Sequence, residues 1–329
     1  MFLNPGRKWG DDSKKPQLQL AELSALVSQL PVYSPEELSA TVSLAPEIWQ
    51  ALADRHRAQA EKWTLPYRRR RAKGDLHPIH DFLFIYYPFA PSLLERWQPT
   101  LGQLIETTPE DASWNPRYYS RLVKGIKLDL EKLSVAAKKR LQWQLTLLKA
   151  IDQSKARFAC HGLHEWAMLY QGGPDGQARH EGKLPLRVSQ ECIDTLIQTR
   201  RLCCTHFDAF RFFTPAAQPM NATPLNLMDR AQQEQKGCLH TNMDLYKWTA
   251  KAMPWVGADL LLESFLFAID CREIDMRASP YDCSDYGFTA IPVETSAGRL
   301  EYEQAQRALA QRAQAIRSQL IDRLAVLCQ

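Results

Sequence analysis

The stretch "HGLHEW" at residues 161–166 places two imidazoles three residues apart, then a carboxylate and an indole. A helix turns about 100° per residue, so His161, His164, Glu165 and Met168 would share one stripe. Polar groups set among apolar neighbours must be hydrogen-bonded or metal-bound. For this stripe alone, a satisfied pair of core histidines and a working site are equal alternatives. Three other stretches have the same character. "THFDAFRFF" carries His206, Asp208, Phe210 and Arg211 at the end of a helix that is apolar on two faces, which predicts burial. An Asp208–Arg211 ion pair is its structural reading. "LHTNMDLYKW" sets His240 and Asp244 four apart, able to share a ligand or bond each other, with Tyr246, Lys247 and Trp248 beside them. In "DLLLESFLFAIDCREIDMRASPYD" one stripe runs Leu261, Phe265, Ala268, Arg272, Asp275, from apolar into charged without leaving the interior. Buried charges are costly unless paired, so these ask for partners. Arg277, Tyr281 and Asp282 follow, where a loop can reach a pocket; a salt-bridge network at the turn is the plainer alternative.

Helical periodicity predicts the elements that must position these groups. Short helices are expected at 17–28 and 34–42, and a third at 46–63, with "YRRRRAKGD" stopping at Gly74. The aromatic run 80–99 reads as a helix broken at Pro88 and Pro91, with pairing to a strand-like 286–295 as the competing possibility. Helices follow at 118–133, at 135–170 with a bend near Gly162, at 189–213 and at 225–235. The last three cover 240–252, 257–278 and 298–327, the final one with the stripe Leu309, Ala313, Ile316, Leu320 and Leu324. Residues 172–183 read as a loop. The expected fold class is all-α, a multi-helix single domain over 46–329 with minor irregular or short β segments. Residues 1–45 form its N-terminal tail and short helices.

The net charge of +4 among 329 residues does not by itself demand a nucleic-acid partner. Locally, Arg68, Arg69, Arg70 and Arg71 lie between Trp63 and Tyr67 on one side and Gly74 on the other. Such a patch suits phosphates and stacked bases, or simply a solvated helix end. No apolar run approaches the ~18 residues of a membrane span. "MFLNPGRKWGDDSKKPQ" lacks the apolar region of a signal peptide and reads as a tail. The eight cysteines form no CxxC pair, which fits a reducing cytoplasm. Walker A, GxGxxG, GxSxG, HExxH and four-cysteine zinc patterns are missing.

The ordered blocks "HPIHDFLFIYYPFAPSLLERWQP", "FACHGLHEWAMLY", "CTHFDAFRFFTPAA", "GCLHTNMDLYKW" and "REIDMRASPYD" together resemble a bacterial family carrying the name 3-methyladenine DNA glycosylase, over roughly residues 46 to 325. The resemblance implies hydrolytic removal of alkylated purines in DNA repair, with a flipped base in an aromatic pocket and a carboxylate assisting water. Other alkyl-base glycosylases carry a Gly-rich helix-hairpin-helix with a catalytic Asp, or a Cys/His zinc clamp; this sequence has neither. Under this reading Asp244 or Glu165 would orient water, assisted by His164 or His240. Tyr86, Trp166, Phe210 and Tyr246 would stack, Arg68 to Arg71 would hold DNA phosphates, and no cofactor is needed. His206, Asp208, Arg211, Lys247, Arg272, Asp275, Arg277 and Tyr281 complete the expected substrate pocket. The residues themselves permit a second reading. Imidazoles and carboxylates on internal helix faces suit iron or manganese, held by a set drawn from His161, His164, Glu165, His206, His240 and Asp244. That would be a helical oxygenase or related oxidoreductase, with Arg272 or Arg277 anchoring a small anionic substrate.

Overall fold

Proline tolerates the first helical turn, where its missing N–H has no partner to lose, and Pro46 opens helix α1 (Pro46–Lys73) there. Gly74 ends it at φ 69°, its N–H returning to Arg71 O. The helix therefore runs past the expected end at 63 and carries all four arginines. The computed structural model describes residues 42–107, 114–172 and 184–329, all within the compact unit Tyr33–Gln329. The expected tail, the helix 17–28, most of the helix 34–42 and nearly all of the loop 172–183 lie outside the described residues. Helices α2 (Phe82–Tyr86) and α3 (Pro91–Glu95) are the two pieces into which prolines cut the aromatic run.

The described chain is an all-α, multi-helix fold with one small sheet. Its strands are β1 (Val42–Leu44), β2 (Gln103–Glu106), β3 (Tyr119–Leu122) and β4 (Gly125–Leu128), in the order β1-β2-β4-β3. Strand β1 runs parallel to β2, and β2, β4 and β3 are antiparallel in turn. This corrects the expected helix 118–133 and places Val42, expected in a helix, in a strand. The reason is local: Ile126 and Leu128 point inward while Lys127 does not, a period of two. Gly125 also lets the backbone of Ile105 approach where any Cβ would lie 2.0 Å from its carbonyl oxygen. No strand forms over 286–295, and the aromatic run has no pairing partner there.

Two expected long helices are interrupted. Instead of 135–170 there are α4 (Val135–Gln153) and α5 (Leu163–Ala167), separated by a turn in which His161 and Gly162 take φ 45° and 70°. A Cβ on Gly162 would press within 3.2 Å of both Ala278 and Tyr302, so the tight turn needs that glycine. Instead of 189–213 there are α6 (Gln190–Thr199) and α7 (Phe207–Phe210). Between them Asn221 brackets the backbone of Cys204, accepting from its N–H and donating to its C=O. That tertiary bonding satisfies the chain without a helix. The expected helix 225–235 shrinks to a 3-10 turn and α8 (Arg230–Gln233). Helices α9 (Leu239–Ala252), α10 (Ala258–Arg277) and α11 (Ser296–Leu327) form close to where periodicity places them. They pack on one another, with α4 against α11, and the α11 stripe from Leu309 to Leu324 is buried. None of the described helices is long and apolar enough to cross a membrane.

One buried acid on α10 makes the stability pH-dependent. Burial, reinforced by Asp259, pushes the Glu263 carboxyl up to about 7, while Gln319, Arg323 and Arg312 oppose the shift. Between pH 4.5 and 7 the folded chain holds a proton that the unfolded chain releases, so this contribution to stability fades as pH rises through that window. It is worth at most about 3 kcal/mol. Glu263→Gln is expected to raise the melting temperature at pH 8 and to leave it nearly unchanged at pH 4.5, measured by thermal unfolding at both values.

Candidate functional site

Five helices, α5, α7, α8, α9 and α10, bring the polar groups together in two adjoining clusters. In the first, α5 supplies His164 and Glu165, α9 supplies His240, and α10 supplies Arg272 and Asp275. Ligand atoms of His164, His240 and Asp275 lie within 4.8 Å of one another. His164 Nε2 stands 3.0 Å from Asp275 Oδ1, and His240 Nε2 stands 3.7 Å from Asp275 Oδ2. Although close, His164 Nε2 and Asp275 Oδ1 are misaligned, and each is buried without a hydrogen bond. Arg272 fixes the carboxylates, donating from one guanidinium nitrogen to Glu165 (3.0 Å) and to Asp275 Oδ2 (2.8 Å). Its guanidinium plane lies 3.8 Å from the ring centre of Phe82 on α2.

Electrostatics separates the two histidines. Burial opposes a proton on His164, but the Asp275 and Glu165 carboxylates outweigh it and hold its pKa above the usual value. Burial and the neighbouring His164 push His240 down to about 3, so its imidazole is neutral. Asp275 stays ionised despite full burial, its pKa held well below the usual range by His164, His240 and Arg272.

In the second cluster Asp244 is completely buried on α9. It accepts from Tyr87 Oη (2.7 Å) and Lys247 Nζ (2.8 Å), with Arg230 at 3.3 Å and His206 Nε2 at 3.2 Å. Lys247 also reaches Asp208 (2.9 Å), and Arg230 holds Glu234 (2.6 Å). Burial pulls the other way, yet Lys247 and His206 keep Asp244 ionised, and Asp244 in return raises Lys247. His206, Asp208 and Asp244 could ligate a metal by distance, but a lysine ammonium already sits between the two carboxylates. The ring of His240 bridges the clusters, 4.3 Å from His164 and 5.6 Å from His206 between ring centres.

A cavity of about 310 Å³ opens beside the first cluster, with His164 and His240 in its wall. Phe158, Leu163, Leu202, Phe213, Leu239 and Tyr302 give it an apolar lining, and Arg157 lies at its exposed side.

The structure thus assembles His164, Glu165, His240, Arg272 and Asp275 in one place, and His206, Asp208, Asp244 and Lys247 beside it. Other expectations need correction. His161 is not on the stripe of His164: its left-handed turn carries it out toward Glu303, 4.0 Å away. His240 and Asp244 share no ligand, because Lys247 and Arg230 claim the carboxylate. Arg211 does pair with Asp208 at 3.5 Å, but its side chain is about half exposed rather than interior. Arg277 donates to Thr289 O and Glu301, away from the trio. Trp166, Phe210, Tyr246 and Tyr281 are core residues: Trp166 is bonded to Ala278 O, and Tyr246 packs on Phe265. Tyr86 stacks on Phe82. Arg68 is paired with Glu95 and Arg70 with Asp81; among the described residues no carboxylate pairs with the exposed Arg69 or Arg71.

Sequence reasoning did not pick out Tyr87, Arg230, Glu234 or Arg157. Arg230 and Glu234, four apart in a loop-rich stretch, read like an ordinary surface pair. The signal that could have found them is the charge bookkeeping of α9, where Asp244 on a buried face needs cations from elsewhere. No protein-family model, no curated protein and no solved structure matches the chain.

Proposed function

We propose that the chain is a metal-dependent enzyme, an oxygenase or related oxidoreductase, in which His164, His240 and Asp275 hold one iron or manganese ion. The observation that carries this reading is the trio itself: two imidazoles and one carboxylate with ligand atoms within 4.8 Å, two of those atoms buried without hydrogen bonds. Unsatisfied buried polar atoms are rare in folded proteins and call for a partner. When bound, iron in a two-histidine, one-carboxylate set supplies redox chemistry with dioxygen and keeps coordination positions for reactants. The chain's own residues do the rest. Arg272 occupies Asp275 Oδ2 and so orients the carboxylate. His240, being neutral, offers a lone pair without first losing a proton. The apolar cavity beside them would take a small substrate. All eight cysteines are free, which accords with a reducing compartment such as the cytoplasm.

A second reading keeps the glycosylase expectation with DNA as partner. It is favoured by the same cavity, whose Phe158, Phe213 and Tyr302 suit a flipped base. Arg272 holds Glu165 and Asp275 Oδ2, and Lys247 and Arg230 hold Asp244; Asp275 Oδ1 beside His164 is left without a hydrogen bond and would be the oxygen that assists water.

Elemental analysis of protein purified without added metal separates the two. We expect iron or manganese at close to one ion per chain. Protein that stays metal-free when both are supplied, yet releases 3-methyladenine from methylated DNA, would overturn the metal reading in favour of the second.

A further inference from the structure

We propose that the 310 Å³ cavity takes a small amphipathic carboxylate, its apolar body against Phe158, Leu202 and Phe213 and its anionic head on Arg157. This deepens the reading above by naming the substrate class of that site, and it rests on that reading only for what happens to the ligand afterwards.

The charge pattern of the wall carries the inference. No aspartate, glutamate or lysine is among the residues that line the cavity, and Arg157 is the arginine there. His164 faces Asp275 at 3.0 Å. Arg272 and Arg277, the cations that the sequence offers as anion anchors, are both committed to carboxylates elsewhere. Arg157 differs: among the described residues no carboxylate comes within ion-pair distance of it. An unopposed guanidinium beside an apolar chamber complements a carboxylate, which it can hold through two parallel hydrogen bonds. A neutral apolar ligand would leave that cation unused, and an ammonium would be repelled.

Arg157 is also held in place at its backbone. Its N–H donates to Gln235 Oε1 (2.8 Å), and Gln235 Nε2 donates back to its carbonyl (3.0 Å). Gly237 lets the two segments touch, since a Cβ there would fall 2.7 Å from Arg157 O and 2.9 Å from its nitrogen. The exposed Arg157 side chain therefore starts from a fixed root in the cavity wall.

The test uses octanoate, octanamide and octylamine with the full chain, binding being followed by calorimetry. Octanoate should bind, and octanamide should bind about tenfold more weakly, the usual scale for losing one charge-assisted contact. Octylamine should bind more weakly still. Arg157→Gln should lower octanoate affinity about tenfold, to the level of the amide, without changing octanamide affinity, melting temperature or metal content. Arg157→Lys should restore part of the loss, and Cys203→Trp, which fills the cavity, should remove both ligands. Equal affinity for acid and amide, an unaltered Arg157→Gln, or no octanoate binding would each overturn the proposal. Metal-free protein that still binds octanoate through Arg157 would leave this inference standing while the metal reading falls.

Discussion

Asp244→Ala is expected to destabilise the fold by about 3–5 kcal/mol, the scale for breaking a buried ion network from one side. The carboxylate is fully buried and meets Tyr87, His206, Arg230 and Lys247. Removing it leaves Lys247 with Asp208 alone and Arg230 with Glu234 and a more distant Asp208, and takes from the buried Tyr87 hydroxyl and His206 Nε2 their partner. Asp208→Ala should cost much less, because Asp244 remains to hold Lys247 and the Asp208 side chain is partly solvated. Denaturant unfolding of both variants, compared at a shared pH, checks the ranking. Similar losses for the two would show that the network is not centred on Asp244.

His240→Ala is expected to weaken iron or manganese binding by more than about 100-fold, since loss of even an outer-shell partner of a ligand costs 10–100-fold. Asp275→Ala would leave Arg272 with a single carboxylate, and His164→Ala would remove the main counter-charge of Asp275, so both would confuse metal loss with instability. His240 is neutral and makes no close ion pair, the nearest carboxylate oxygen lying 3.7 Å away. Its loss should therefore spare the fold. Metal content after dialysis, alongside a melting curve, reads both quantities. A variant that keeps its metal would remove His240 from the ligand set.

The sequence carried much of the helical scaffold. Pro46 and Gly74 mark the ends of α1, Pro88 and Pro91 cut the aromatic run, and the stripe of Leu261, Phe265, Ala268, Arg272 and Asp275 is buried along its length. These signals are local: a missing N–H, a left-handed residue, a period near 3.6. Where local signals conflicted, it misled. The β3–β4 hairpin hid in a stretch that also fits helical spacing, and the segment after Thr199 lost its helix to hydrogen bonds from Asn221.

For the site, residue types alone determined that histidines and acids had to be buried, and that buried charges needed partners. Which imidazole met which carboxylate was decided only by the tertiary structure. His240 and Asp244 are four apart on one helix face, yet His240 joins His164 and Asp275 while Asp244 joins Lys247 and Arg230. The same holds for His161, which three residues of spacing align with His164 and one left-handed turn sends to Glu303. The physical reason is range. Periodicity fixes the direction of a side chain relative to its own helix, whereas pairing depends on how α9 and α10 pack together and on the turn that docks α5 beside them.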